Sequence, residues 1–361
     1  MIKEDEIGII NLDDNTEAKA DIVRKLAKSP LSSNKLLHII IFPGNPGGAS
    51  FYTPFADALY SYFSTKELSD HIFVSVVGHV SHSIESASSS SKIHSLQDQL
   101  RYKITYITDI LKSNDSIQVV LIGHSVGAWL ALEGASQLPE QYQKRVIGIV
   151  SLFPTLINIG TTRRAHELSF LFTDLGVFLL ASLAWFIRLI LPKSIITHLA
   201  AFALRHVKDI TSAAKHSAVT LIHENVARNA CLMARDEMKE ITMLSSTAVK
   251  FGKSLRESFI AYYGQNDGWN NDGDDEKISK IFKKATIKRC IGSHSHAFVL
   301  NTKSCIRIAE ISAQLIERKV SFFSTRNLHL QDIPLVTMEK ETIKKHKIEK
   351  IRKTNRRGSI I

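Results

Sequence analysis

The chain has 361 residues, of which 44% are hydrophobic and 22% are charged, enough for one large domain with an insertion or for two smaller domains. Its three cysteines have no regular spacing, which excludes a disulfide framework and a zinc-binding pattern. The net charge is +11, but +7 of it falls from Lys340 onward, where nine Lys and Arg residues stand against two Glu residues, so the rest of the chain has no charge excess typical of nucleic-acid binding.

In chain order, residues 1–30 alternate acids and lysines without the apolar run of a secretory signal, and we interpret them as a polar N-terminal extension. After them, continuous apolar runs predict strands buried on both faces. These strands are Leu36–Phe42, His71–Val77, Gln118–Ile122, Val146–Leu152, Ser258–Tyr263 and Thr286–Ile291. Helical spacing covers Ser95–Leu111 and Ala128–Leu138. Strands alternating with helices predict an α/β fold with a mostly parallel central sheet flanked by helices.

The alternation stops at residues 156–250, which have helical character only and predict a helical cap inserted into the core. The most apolar part of this cap is 175–204. Its charge-free run, Leu175–Ile187, is shorter than the roughly 20 residues that a transmembrane helix needs. We therefore expect a helix buried within the cap or one that inserts into a single lipid leaflet, and a true transmembrane helix is the third alternative.

The basic C-terminal segment is either a solvated extension or a segment that binds an anionic membrane surface. Together these patterns predict five regions. They are an N-terminal extension (1–30), the first part of the core (31–155), the cap (156–250), the second part of the core (251–325) and the basic tail (326–361).

The segment Gly123-His124-Ser125-Val126-Gly127 lies between a predicted strand and the helix that follows it at once. This is the context of a nucleophile elbow, in which a strained turn exposes a serine hydroxyl and the flanking glycines avoid clashes. The N-terminus of the helix behind the turn favours developing negative charge. We therefore predict that Ser125 is a catalytic nucleophile.

A serine nucleophile needs a general base, and the base needs an acid that orients it. After an elbow of this kind the order along the chain is Ser, then Asp or Glu, then His. Asp267 comes just after a predicted strand and is the predicted orienting acid. His296 directly precedes the apolar segment AFVL and is the predicted base, whereas His294 is either a loop residue or a substrate contact.

The oxyanion hole of such a site combines the backbone N–H after the nucleophile with a second N–H from a loop after an early strand. The first donor is Val126. The loop is PGNPGG, whose prolines have no N–H, so that Gly44 or Asn45 must supply the second donor, and we choose Asn45. The loop lacks the lysine and the spacing of a phosphate-binding loop.

With these residues identified, the chain resembles the lipid-droplet-associated hydrolases, a branch of the α/β-hydrolases. The resemblance spans roughly residues 36–300 and rests on IFPGNPGGASFYTPFADALY, LIGHSVGAW, SLFPTL, YYGQND followed by Trp269, and HAFVL, in the order of the family. It implies the α/β-hydrolase fold with an inserted helical cap. It also implies that Ser125, Asp267 and His296 are the catalytic triad.

The resemblance further implies residence at the cytosolic face of lipid droplets and the endoplasmic reticulum, with the apolar cap as membrane anchor. The expected substrate is a neutral lipid ester, either a sterol ester or a triacylglycerol. Two alternatives remain: an acyltransferase with the same triad, and a droplet-coating protein with weak catalysis. No cofactor, metal or nucleic-acid partner is predicted.

Overall fold

The computed structural model describes residues 6–11, 18–25, 35–65, 71–87, 92–292 and 294–321. In this part of the chain eight strands form one sheet. In chain order they are β1 (Glu6–Asn11), β2 (Lys19–Lys25), β3 (Leu36–Phe42), β4 (Ile72–Val77), β5 (Ile117–His124), β6 (Val146–Leu152), β7 (Phe259–Tyr263) and β8 (Thr286–Arg289). The predicted basic tail, 326–361, lies outside the described residues.

The strands lie in the spatial order β1-β2-β4-β3-β5-β6-β7-β8. β2 is antiparallel to both β1 and β4, and every neighbouring pair from β4 to β8 is parallel. All seven residues of β3 are buried, as expected of a strand covered on both faces. Because the carboxyl ends of parallel strands meet at one edge of the sheet, the residues that follow β3, β5, β7 and β8 are brought together there.

The first two strands correct the interpretation of residues 1–30 as a polar extension. β1 pairs with β2 along its length, and β2 joins the sheet through β4. Ala20 and Ile22 of β2 are buried and belong to the hydrophobic core. The pattern was missed because antiparallel strands near a sheet edge need few apolar residues, so their sequence looks polar.

Helices cover the sheet on both faces. They are α1 (Thr53–Ser64), α2 (Ile84–Ala87), α3 (Leu96–Ser113), α4 (Val126–Ser136), α5 (Glu140–Gln143), α6 (Arg163–Leu168), α7 (Asp174–Ile190), α8 (Lys193–Ala203), α9 (Ser212–Ser217), α10 (Glu224–Glu240), α11 (Ser246–Leu255), α12 (Asp274–Ile281) and α13 (Thr302–Lys319). α1 packs against α13, and α4 packs against α3 and α11. α3 begins at a capping box in which Ser95 and Asp98 bond each other's backbone N–H groups.

Between β6 and β7 the chain is helical, and α7 packs on α10. α7 is not buried within the cap, because Gly176, Val177 and Ala184 are its only buried residues. Large apolar side chains of α7 and α8 are exposed and form what we call the apolar cap surface. Its members are Leu175, Phe178, Leu179, Leu183, Trp185, Phe186, Leu189, Ile190, Ile195, Leu199 and Phe202. An exposed apolar patch of this kind marks an interaction site.

In the described ranges, no single helix is long and apolar enough to cross a membrane. One bent pair, Arg163–Phe172 with Asp174–Ile190, meets the length and composition criteria together, with an angle of 70° between its two parts.

The two ends of the cap segment lie side by side. The N–H of Asn158 donates to the carbonyl of Thr242, and the N–H of Ile159 donates to the carbonyl of Ile241, both at 3.2 Å. Gly160 follows at once, and a Cβ there would collide with the carbonyl oxygen of Met238. The chain therefore enters and leaves the cap at one place, the pair of segments Asn158–Ile159 and Ile241–Thr242, which we call the neck.

Candidate active site

Ser125 lies in the tight turn that joins β5 to α4. Its backbone has φ 55° and ψ −125°, a conformation that is strained for a residue with a side chain. A Cβ at Gly123 would collide with the backbone of Ala128, and a Cβ at Gly127 would collide with the carbonyl oxygens of Phe42 and Pro43. Both glycines are therefore required, and the turn packs directly against the loop after β3.

His296 connects Ser125 to Asp267. The Ser125 hydroxyl lies 2.9 Å from His296 Nε2, and His296 Nδ1 lies 2.8 Å from Asp267 Oδ2. With the proton of the imidazole on Nδ1, that nitrogen donates to the carboxylate and Nε2 accepts from the hydroxyl. The three residues come from the ends of β5, β7 and β8, which the parallel sheet brings to one edge.

Asp267 is held in place by its own loop. Its Oδ1 accepts from the N–H of Trp269 at 3.0 Å, and its Oδ2 accepts from Asn270 Nδ2 at 3.2 Å. Burial would raise the pKa of Asp267, but the hydrogen bond and charge of His296 and the Trp269 N–H leave that pKa below its ordinary value. The carboxylate is therefore ionised at neutral pH and fixes the orientation of His296.

A second chain of hydrogen bonds runs beside the triad through Tyr52 and His124. His124 Nε2 donates to the backbone carbonyl of His296 at 2.9 Å, since a carbonyl only accepts. Burial lowers the pKa of His124 to about 3, so the ring is neutral and its Nδ1 accepts from the Tyr52 hydroxyl at 2.5 Å. The Tyr52 oxygen in turn accepts from the N–H of Gly44 at 2.8 Å. The chain thus connects the loop after β3, the elbow and the His296 loop.

The same contacts affect which backbone N–H groups are free to act as the two predicted oxyanion donors. The N–H of Gly44 is already bonded to Tyr52, which leaves Asn45 as the remaining donor of that loop segment. Val126 is the first residue of α4, where backbone N–H groups have no acceptor within the helix. The Asn45 side chain turns away from this role and donates to Ala230 O at 2.8 Å and to Glu237 Oε1 at 2.9 Å.

A cavity of about 200 Å³ opens beside Ser125 and His296. Its walls come from the loop after β3, the elbow, the triad loops and the cap, and they are mainly apolar. They comprise Asn45, Pro46, Ser125, Ile159, Leu168, Phe172, Ala230, Cys231, Ala234, Glu237, Met238, Trp269 and His296. An apolar cavity with a few convergent polar groups is the usual form of a small-molecule site.

His294, which the sequence predicts to be a loop residue or a substrate contact, is the other histidine of the loop after β8. Its Nδ1 bonds to the Ser304 hydroxyl at 2.9 Å, next to α13. Within the ranges described, no three His, Cys, Asp or Glu side chains converge in a way that could hold a metal ion.

Three residues near the nucleophile were not predicted from the sequence: Tyr52, His124 and Glu237. His124 is buried and bonded to two of the loops around Ser125. Its position inside the elbow could have suggested this role. Tyr52 and Glu237 meet their partners only through the tertiary fold, and no local pattern marks them.

Comparisons with known proteins identify the family to which this chain belongs. A family model described as lipid-droplet associated hydrolase matches residues 34–299. A protein named lipid droplet-associated hydrolase from Gallus gallus is 29% identical over 286 residues, which are 77% of this chain and 84% of the relative. A protein of the same name from Dictyostelium discoideum is 25% identical over 319 residues, 84% of this chain and 95% of the relative.

Solved structures with the same architecture are more distant in sequence. A peroxisomal α/β-hydrolase from Saccharomyces cerevisiae has a TM-score of 0.58 at 14% identity, over 99% of this chain and 98% of that one. A haloalkane dehalogenase variant from Bradyrhizobium elkanii has a TM-score of 0.58 at 10% identity, over 90% and 100%. Likeness at such low identity shows the α/β-hydrolase fold alone. The family model, which spans most of the sequence, shows more: this chain belongs to the lipid-droplet-associated hydrolase family.

Proposed function

We propose that this protein is a serine carboxylic-ester hydrolase that cleaves a neutral lipid ester, a sterol ester or a triacylglycerol, through a Ser-His-Asp triad. The observation that carries the proposal is the unbroken hydrogen-bond chain from Asp267 through His296 to Ser125, beside a mainly apolar cavity. Membership of a hydrolase family supports it. The relatives named above are described as lipid droplet-associated, and we extend that location to this chain.

In the proposed reaction, Ser125 Oγ attacks the ester carbonyl carbon while its proton passes to His296 Nε2. Asp267 stabilises the imidazolium that results. The backbone N–H groups of Val126 and Asn45 donate to the negatively charged oxygen of the tetrahedral intermediate. The intermediate collapses, the bond to the alcohol oxygen breaks, and His296 returns its proton to that oxygen. This leaves an acyl group on Ser125 and a free alcohol.

The second half of the reaction uses the same groups. Water attacks the acyl carbon, His296 takes a proton from that water, and a second tetrahedral intermediate forms. When it collapses, the bond to Ser125 breaks, the proton passes to Oγ, and a fatty acid leaves.

The proposed location is the cytosolic face of lipid droplets and of the endoplasmic reticulum. The apolar cap surface supports it, because exposed Phe, Leu and Trp side chains gain free energy when they enter the acyl region of a lipid monolayer. α7 packs on α10, and α10 lines the cavity, so lipid bound by α7 lies one helix away from the cavity wall.

The proposal is tested by labelling the purified protein with a fluorophosphonate and measuring fatty acid release from emulsified triolein and cholesteryl oleate. Ser125→Ala should abolish labelling, and Ser125→Ala and His296→Ala should each lower kcat by several orders of magnitude. Asp267→Asn should cost somewhat less.

His294→Ala is the matched control for the base, because it removes a histidine two residues away. It should retain most of the activity. The assignment of His296 as the base would be overturned if His294→Ala lost most of its activity while His296→Ala lost little. Absence of labelling that depends on Ser125 would instead favour a droplet-coating role, and transfer of the acyl group to an added alcohol in preference to water would favour an acyltransferase.

A further inference from the structure

Glu237 is a buried carboxyl group in the cavity that the proposed reaction does not use. It lies on α10, its exposure is 4%, and it lines the same cavity as Ser125 and His296. A buried carboxyl destabilises a fold unless its polar atoms are bonded. A carboxyl in an otherwise apolar wall therefore calls for a functional explanation.

The hydrogen bonds of Glu237 determine which of its oxygens carries a proton. Asn45 Nδ2 gives one hydrogen to Ala230 O and the other to Glu237 Oε1. Burial raises the pKa of Glu237 to about 8, so the group is mostly neutral at pH 7. In a neutral carboxyl the carbonyl oxygen is the better acceptor, and Oε1 is the atom that accepts. The proton is therefore on Oε2.

Oε2 of Glu237 is then a hydrogen-bond donor in the wall of the cavity that Ser125 and His296 also line. Among the described residues, none bonds to Oε2. Its neighbour Asn45 belongs to the loop whose backbone N–H we assign to the oxyanion hole. A substrate that fills this cavity with its ester at Ser125 therefore also meets the donor of Glu237.

We propose that Glu237 determines substrate specificity by donating a hydrogen bond from Oε2 to an oxygen of the substrate outside the scissile ester. This inference rests on the proposed function and narrows its substrate class. Acylglycerols carry further ester or hydroxyl oxygens two or three bonds from the cleaved group. Sterol esters and wax esters have a hydrocarbon alcohol and leave the donor unpaired, which a site built for hydrogen bonding disfavours.

The test compares two esters with the same acyl chain, 1,2-dioleoylglycerol and oleyl oleate, in mixed micelles with the full-length protein. The readout is the ratio of their kcat/KM values, in which general losses of activity cancel. Glu237→Gln keeps an acceptor for Asn45 and a donor into the cavity, and it should hold the ratio within about threefold of wild type. Glu237→Met has a similar length and no donor, and it should lower the ratio about tenfold.

Two results would overturn the role of Glu237: an unchanged ratio in Glu237→Met, or a ratio that falls equally in both variants. If Glu237→Met does not fold, the proposal is tested on the wild-type protein by comparing inhibition by 1-O-octadecylglycerol with inhibition by octadecanol. Equal inhibition by the two compounds would contradict the proposal. Fluorophosphonate labelling separates this failure from that of the proposed function. If the enzyme is labelled but the ratio is unchanged in Glu237→Met, only the role of Glu237 is refuted. If the wild-type enzyme is not labelled, the proposed hydrolase activity is refuted, and the role of Glu237 with it.

Discussion

Tyr52 and His124 connect the three loops that must keep their relative positions during catalysis. Each hydrogen bond in their chain has a defined direction, from the Gly44 N–H to the Tyr52 oxygen, from the Tyr52 hydroxyl to His124, and from His124 to the carbonyl of His296. All these groups are buried or nearly so. An unpaired buried donor or acceptor costs about 1–3 kcal/mol, so removal of one member disturbs its neighbours.

We expect Tyr52→Phe to lower kcat by about tenfold or more while leaving KM nearly unchanged. The phenyl ring keeps the packing, but the Gly44 N–H loses its acceptor and His124 Nδ1 loses its donor, which loosens the loop that carries Asn45. Steady-state kinetics and the rate of fluorophosphonate labelling measure the effect.

The control is Tyr62→Phe, which removes a tyrosine hydroxyl that donates to Glu317, away from the site. Its kcat should equal that of wild type. A Tyr52→Phe enzyme within twofold of wild type would show that the elbow and the Gly127 contact alone hold the loop.

Ser125, Asp267 and His296 could be predicted because each one lies in a short motif that also fixes its backbone. The elbow needs its glycines at fixed positions, and the acid and the base each follow a strand. Tyr52 and Glu237 could not be predicted. Their partners lie 72 and 192 residues away along the chain, and only the fold sets those distances.

At the scale of elements, α10 carries the buried acid of the cavity and thereby makes stability depend on pH. The pKa of Glu237 is about 8 in the folded protein against an ordinary value of 4.5. Between these values the folded state holds a proton that the unfolded state releases. The contribution of Glu237 to stability is therefore complete below about pH 4.5 and is lost as pH rises through about 8.

We expect Glu237→Gln to become more stable relative to wild type as pH rises from 6 to 8, by up to about 1.4 kcal/mol per pH unit. The amide cannot ionise, so it removes the linked proton while it keeps the bond from Asn45. Urea unfolding at several pH values measures the difference.

Glu240→Gln, at the exposed end of the same helix, is the control, and its stability should run parallel to wild type. Parallel curves for Glu237→Gln would mean that Glu237 is already ionised at neutral pH, and they would remove the donor assigned to Oε2.

Strands were predicted with the right bounds where nearly every residue of the segment is buried. Leu36–Phe42 and Val146–Leu152 are strands with the predicted bounds, because parallel strands covered on both faces are apolar throughout. β1 and β2 were missed because their burial depends on pairing with strands elsewhere. The single turn of α2 is likewise not marked by the local sequence.

At the scale of the whole molecule, the apolar cap surface lies on the part of the chain that also lines the cavity. Full burial of one Phe or Leu side chain contributes about 1.5–3 kcal/mol, so several together suffice to hold a protein on lipid. Charge attraction by the basic tail would weaken with salt, whereas apolar insertion does not.

We expect the triple variant Phe178→Ser, Trp185→Ser, Leu189→Ser to lose binding to artificial droplets of triolein coated with phospholipid. The three side chains are at least half exposed, so the free energy of unfolding should change little. Flotation at low and high salt measures binding. Removal of residues 326–361 should change droplet binding little at physiological salt.

Met243→Ser is the control, since this residue is 74% exposed but lies outside the apolar cap surface. It should float like wild type. Full binding by the triple variant, or release of wild type by salt, would assign droplet binding to the tail.

The neck formed by Asn158–Ile159 and Ile241–Thr242 allows the cap to change in evolution while the sheet is retained. Because the chain enters and leaves at hydrogen-bonded neighbours, an insertion, deletion or exchange between these points changes no strand register. The exchanged side does contact the site, however. The Arg164 N–H donates to the Gly268 carbonyl beside Asp267, the Thr211 N–H donates to the Leu300 carbonyl, and Ala230 and Glu237 hold Asn45. A cap taken from another protein would leave the strands in place, and would have to supply its own partners for the Gly268 and Leu300 carbonyls and for the Asn45 side chain.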